Sequence, residues 1–103
     1  MSRILKYSEA ILEAQYQLLE RDQNVFLIGL GIPTPTGVFG TTKNLVQKFG
    51  HHRVIDIPAS ENAITGVSIG ASILGFKPIF IHLRVDFSVL SLEPIVNQAA
   101  KWR

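Results

Sequence analysis

Apolar positions near the start of the chain recur at steps of three and four: Tyr7, Ala10, Ile11, Ala14 and Leu18. That spacing predicts a helix over residues 8–20, with Ser8 as its cap and Glu9 suited to its positive end. The rhythm then changes. "VFLIG", residues 25–29, is a continuous apolar run of strand length, and both faces of such a strand must be covered. A loop with two prolines and three glycines, "LGIPTPTGVFG", separates it from a second helix predicted over residues 42–49 and closed by Gly50. "RVIDI" reads as a second strand, 53–57, and "NAITGVSIGASILG" as a third helix, 62–75, with Ser60 as its cap. "PIFIHL", 78–83, is the third strand. Ile95, Val96, Ala99 and Ala100 carry a final helical pattern, which Pro94 either delays to a start near Ser91 or kinks.

Helices alternating with fully apolar strands predict an α/β fold, a parallel sheet with helices on both faces. Three strands are few for such a sheet. The expectation is that a partner covers the remainder, or that this chain is the front part of something longer.

Composition narrows the picture further. The chain has 103 residues, 47% hydrophobic and 17% charged, which suits one small core-forming domain. A formal charge of +2 from dispersed basic residues does not make a nucleic-acid surface. There is no cysteine, so disulfides and thiolate metal sites are excluded. The apolar stretch 63–76 is interrupted by Thr65, Ser68 and Ser72, and is too short for a bilayer that needs about 20 apolar residues. A soluble, cytoplasmic chain without membrane partners is expected.

Candidate chemistry concentrates in a few places. Gly66 and Gly70, one turn apart, would leave a flat stripe on the third helix, and glycine costs about 1 kcal/mol against alanine there. Close packing within the chain is the simpler account; a subunit interface or a place under a cofactor is the sharper one. Glu61 follows a strand at its C-terminal end, where ligands of α/β sheets bind, although a carboxylate in a first helical turn is also an ordinary structural feature. The loop after Gly29 matches neither the dinucleotide fingerprint nor the P-loop. His51 and His52 have no third ligand nearby in sequence, so no metal site is expected. His82 and Arg84 alternate at the end of the third strand, either as a solvated strand end or as donors for an acidic substrate.

The order of the pieces is more specific than any one of them. "VFLIGLG", "GVFGTTKNLVQKFG", "RVIDIPASENAITGVSIGASILGFKP", "VDF" and "IVNQAAKW" follow one another as in the beginning of the beta subunits of thiamine-diphosphate-dependent 2-oxo acid dehydrogenases, of the pyruvate, branched-chain and acetoin types. More broadly the chain resembles the pyrimidine-binding domain shared with transketolases. The resemblance implies the thiamine-diphosphate-binding fold, with residues 1–103 as the N-terminal part of the pyrimidine-type domain and the rest of the subunit elsewhere. It implies that Glu61 contacts a ring nitrogen of the cofactor's aminopyrimidine and favours the tautomer that activates the cofactor. Phe87 would stack on that ring, and the backbone of Ala59 would face it. Leu30 stands beside the cofactor where the family usually carries an acidic pair.

The resemblance further implies thiamine diphosphate shared with a partner subunit. The magnesium would be bound by that partner, an alpha subunit carrying the diphosphate-binding domain, because the family's Gly-Asp-Gly…Asn metal motif is absent here. A homo-oligomer is expected as well, and this chain alone should be inactive. Binding of cofactor would quench Trp102. Ile81 replaces a glutamate usual in the third strand, and His82 and Arg84 replace apolar or small residues, which points to a divergent branch with an acidic or sugar-derived substrate. Ketol transfer, as in transketolases, and a non-catalytic association module of the same fold stand as alternatives.

Overall fold

The computed structural model describes residues 3–101 and places "VFLIG" at the centre of a parallel three-stranded sheet. This strand, β1 (Val25–Gly29), lies between β2 (Val54–Ile55) and β3 (Lys77–Ile81), in the order β2-β1-β3. Leu27 pairs with Val54 on one side and with Ile79 on the other. Its uniformly apolar sequence follows from that central place, since no position along it is left facing water on both sides. Trp102, the expected reporter of cofactor binding, lies outside the described residues.

One face of the sheet carries the core. Val25, Leu27 and Val54 pack there with Leu19, Ile32, Val38 and Leu45. Leu12 and Tyr16 of α1 (Tyr7–Arg21) and Val46 and Phe49 of α2 (Leu45–Phe49) close over them. Tyr16 meets Phe49 edge to face, with ring centroids 5.3 Å apart. Helix α3 (Glu61–Ile73) packs against β3, and just beyond it Phe76 meets Phe26 edge to face. The sheet is thus covered by helices on both faces, as the alternation predicts.

Two anchors hold the N-terminal edge of the sheet. The guanidinium of Arg53 donates to the carbonyls of Leu19 (2.7 Å), Asp22 (2.8 Å) and Val25 (3.0 Å), and lies over the Phe49 ring. It thereby satisfies carbonyls at the end of α1 that lack partners within the helix. Lys77 pairs with Asp22 across the same edge. That hydrogen bond, with a second from the Asn24 N–H, holds the Asp22 carboxyl below its ordinary pKa of 3.8.

Gly29 ends β1 where the backbone of β3 comes close. A Cβ at this position would stand 2.6 Å from the Ile81 carbonyl oxygen, well inside contact distance. Gly29→Ala is expected to cost about 1–3 kcal/mol, as overpacking does. Urea denaturation reads this directly, and an unchanged midpoint would contradict the close approach.

The elements differ from expectation at their ends. Helix α1 starts at Tyr7 with Lys6 in the cap position rather than Ser8, because the Glu9 carboxylate accepts the Lys6 N–H (3.0 Å). Helix α2 starts at Leu45 rather than 42. Asn44 is left-handed (φ 64°), while the Thr42 hydroxyl accepts the Val38 N–H and donates to the Ile32 carbonyl. Strand β2 keeps only two of its five expected residues. Strand β3 ends at Ile81, two residues early, so His82 lies beyond it. The final helix begins just after Ser91 and is of a changed type. A 3-10 helix, Val85–Ser91, is followed by a π-helical stretch, Pro94–Ala99, starting at the buried proline whose missing N–H breaks the α-helical ladder.

Candidate functional site

Because all three strands run parallel, the chain leaves each of them at the same edge of the sheet. Leu30 follows β1; Ala59 and Glu61 follow β2; His82, Arg84 and Phe87 follow β3. All six sequence-predicted residues therefore belong to the connections of one edge, the edge at which α/β sheets bind ligands.

Glu61 is the first residue of α3 and is half-buried. Ser60 occupies the cap position, and its carbonyl accepts the Ile64 N–H (3.0 Å), but its side chain makes no capping bond. Ala59 is exposed and Leu30 half-buried. The turn after β1 is tied to the turn after β2 by Asp56, whose Oδ1 accepts the N–H groups of Gly31 (2.8 Å) and Ile57 (2.9 Å). Sequence reasoning assigned Asp56 only to a strand. An acid at the end of an otherwise apolar run was the available signal, because such a residue needs donors.

Phe87 lies half-buried in the 3-10 helix, with the Arg84 guanidinium 5.1 Å from its ring centroid. Arg84 is held there by a two-point pair with Asp86, Nε to Oδ1 at 3.1 Å and Nη2 to Oδ2 at 2.8 Å. His82 turns elsewhere. Its ring stacks on Phe80, centroids 4.3 Å apart, and its Nδ1 is buried with no hydrogen-bond partner among the described residues. His82 and Arg84 thus have different neighbours, Phe80 for the first and Asp86 for the second.

The 3-10 helix is fastened to α3 by two buried hydroxyls that sequence reasoning missed. Thr65 Oγ1 stands 2.7 Å from the Glu61 carbonyl oxygen and 2.6 Å from Ser91 Oγ. Gly66 and Gly70 behave otherwise than the simpler account expected. A Cβ at either would meet nothing within 4 Å among the described residues, so close packing within the chain does not explain them.

The edge carries two of the candidate groups. It presents a carboxylate at a helix start and a half-buried aromatic, which suits a flat group with a nitrogen to bind. Among the described residues no three His, Asp or Glu side chains gather as a metal site. A carboxylate and an aromatic are side chains of the kind that an aminopyrimidine ring would need. A groove of about 640 Å³ opens instead toward the opposite edge, lined by Asn24, Phe26, Arg53, Ile55 and Phe76 among others, and so is remote from this chemistry. No described helix is long and apolar enough to cross a membrane.

A parallel α/β sheet with an acid and an aromatic on the connections of its carboxyl edge defines a class, the α/β domains that bind ligands at strand ends. The family within that class is shown by a model described as "Transketolase, pyrimidine binding domain", which matches residues 4–103, and the chain belongs to this family. It is 36% identical over 100 residues to the mitochondrial pyruvate dehydrogenase E1 component subunit beta of Saccharomyces cerevisiae, covering 97% of this chain and 27% of that one. It is 39% identical to the 2-oxoisovalerate dehydrogenase subunit beta of Bacillus subtilis, covering 97% and 31%. The beta subunit of acetoin:2,6-dichlorophenolindophenol oxidoreductase from Bacillus subtilis is 36% identical, with 100% and 34% covered. The chain thus spans about a third or less of the length of these relatives.

Proposed function

We propose that this chain forms the aminopyrimidine half of a thiamine diphosphate site in a beta subunit of a 2-oxo acid decarboxylating dehydrogenase. The observation that carries the reading is the joint placement of Glu61 and Phe87 on one sheet edge, in a chain similar along nearly its whole length to the beta subunits of a pyruvate dehydrogenase and a 2-oxoisovalerate dehydrogenase. Thiamine diphosphate, when bound, supplies the electron sink that decarboxylation of a 2-oxo acid needs.

The chain's own residues have separate tasks. Glu61 holds a proton against a ring nitrogen, a task that needs one carboxyl group fixed rigidly, and the start of α3 fixes it. Phe87 offers a flat apolar face for stacking. A ring stacking on the face that Arg84 covers must displace the guanidinium. Ala59 presents backbone to the same ring. Leu30 contributes an apolar wall that excludes water where a polar contact is usual in the family. Arg84, released from Asp86, is the cation available to an acidic substrate, and His82 Nδ1 is a buried polar atom still free to bond. The diphosphate and magnesium fall to an alpha-type partner subunit.

Reconstitution with such a partner tests the reading. Release of carbon dioxide from a 2-oxo acid, dependent on thiamine diphosphate, is expected. Ketol transfer without carbon dioxide would replace this function with the transketolase reaction, and failure of the assembled protein to bind the cofactor would leave an association module.

The exposed surface bears on assembly. Val67 and Ile73 on α3, and Val85, Val89 and Val96 on the helical run after β3, are each more than half exposed. Apolar surface of this kind drives association. Self-association of the isolated chain at micromolar concentration is therefore expected in sedimentation, and a clean monomer there would contradict it.

A further inference from the structure

We infer that Thr65 and Ser91 form a positioning clamp that sets where the Phe87 segment stands relative to Glu61. The inference rests on the functional reading above, and names two residues to which sequence reasoning gave no role. Thr65 lies one turn into α3, and Ser91 ends the 3-10 helix that carries Phe87. Both are buried, at 6% and 0% exposure, in a chain where most hydroxyls reach water. Their oxygens stand 2.6 Å apart, and both reach the carbonyl of Glu61, Thr65 at 2.7 Å and Ser91 at 3.4 Å.

The three oxygens form a closed set. Two hydroxyl protons serve three contacts, so one hydroxyl donates to the carbonyl while the other donates to its neighbour. The carbonyl belongs to the residue whose carboxyl group is proposed to act, and the second hydroxyl belongs to the segment whose aromatic is proposed to stack. A buried hydroxyl pair is directional in a way that apolar packing is not, because the oxygens must stay within hydrogen-bond distance or lose their partners. Around them the contacts are permissive: the helical run after β3 changes type twice and exposes much of its apolar surface. The hydroxyl pair is thus what fixes the spacing between helix start and aromatic.

Three variants of the intact subunit in its assembled form test the clamp: Thr65→Val, Ser91→Ala and the double variant. Thr65→Val keeps the side-chain shape and leaves the buried Ser91 hydroxyl only its longer contact with the Glu61 carbonyl, at 3.4 Å. Its melting temperature should fall, and the double variant should recover it, because removing both partners of a buried pair leaves no orphan. Affinity for thiamine diphosphate with magnesium, measured by titration calorimetry, should fall about tenfold in Thr65→Val and stay low in the double variant, as misplaced binding groups do. Thr65→Ser, which restores the hydroxyl, should restore affinity. A merely structural pair would instead give affinity that follows the melting temperature, so wild-type affinity in the double variant overturns the clamp.

Amide hydrogen exchange gives a readout independent of cofactor. The Phe87 N–H, which donates to the Arg84 carbonyl at 3.1 Å, should exchange at least about fivefold faster in both Thr65→Val and the double variant. Unchanged protection there overturns the clamp whether or not thiamine diphosphate binds. Wild-type turnover in Glu61→Gln, by contrast, overturns the functional reading alone, and the exchange result then decides the clamp.

Discussion

Glu61→Gln is expected to lower thiamine-diphosphate-dependent turnover of the reconstituted enzyme by about 10²–10⁴-fold, the range lost when a positioned acid or base is removed. Glutamine keeps the length and shape of the side chain and can still bond to a ring nitrogen. It cannot hold or release the proton, so the loss should fall on kcat and leave KM for the oxo acid nearly unchanged. Glu61→Asp retains the proton but draws it back by one methylene, and an intermediate loss is expected because reacting groups tolerate little misplacement. Stability should change little. The carboxylate gains only about 0.3–1 kcal/mol from its place at the start of α3. The side chain is half-buried, so removing its charge leaves no sealed cavity. Turnover within about twofold of wild type at saturating cofactor would remove Glu61 from the mechanism, since no proton-transfer role is worth so little.

Arg53→Ala should produce the largest loss of stability. Three carbonyls at the end of α1 and the start of β1 accept from this one guanidinium, and of these the Asp22 carbonyl also accepts the Val25 N–H at 3.3 Å. They are brought together from residues 19, 22 and 25, and a single planar fork reaches them all. Each bond has a charged donor, worth about 1.5–3 kcal/mol in isolation, but the bonds share one side chain and are not additive, so about 3 kcal/mol is expected in total. For a domain of this size that lowers the melting temperature by roughly 10–20 °C. Arg53→Lys should recover less than half, because an ammonium point charge cannot span the three acceptors. Thermal unfolding followed by circular dichroism measures both, and a shift under about 3 °C for the alanine variant would show the carbonyls satisfied by water instead.

The sequence made the centre of this fold legible and its margins less so. Strand β1 matches expectation at both ends, since a continuous apolar run has one natural setting, the middle of a covered sheet. Helix α3 follows from Ser60 and Glu61 ahead of a helical stretch. Strand β2 was overestimated because Asp56 looked like a strand residue, whereas its carboxylate turns to the Gly31 amide, 25 residues earlier. The start of α2 escaped because nothing local announces that Asn44 turns left-handed. In the last helical run, Pro94 was recognised as a disturbance, but whether a chain kinks or widens into a π turn depends on what the proline packs against.

At the candidate site, Glu61 and Phe87 were named through the order of motifs. Thr65 and Ser91 were not, because a serine and a threonine 26 residues apart carry no joint pattern until folding brings them together. His82 and Arg84 were paired by strand alternation, and both lie beyond the end of β3 at Ile81.

The two rims of the sheet answer to different pressures. Arg53 and the Asp22–Lys77 pair brace the rim where the strands begin, while Glu61, Phe87 and their neighbours occupy the connections where the strands end. Five residues of β1 separate them. Mutations far enough apart to share no partner act independently. A lineage can therefore rewrite the connections at one rim, at Leu30 or Arg84 for example, while the opposite rim keeps the scaffold folded through the change. Novelty and robustness are divided along the length of a single strand.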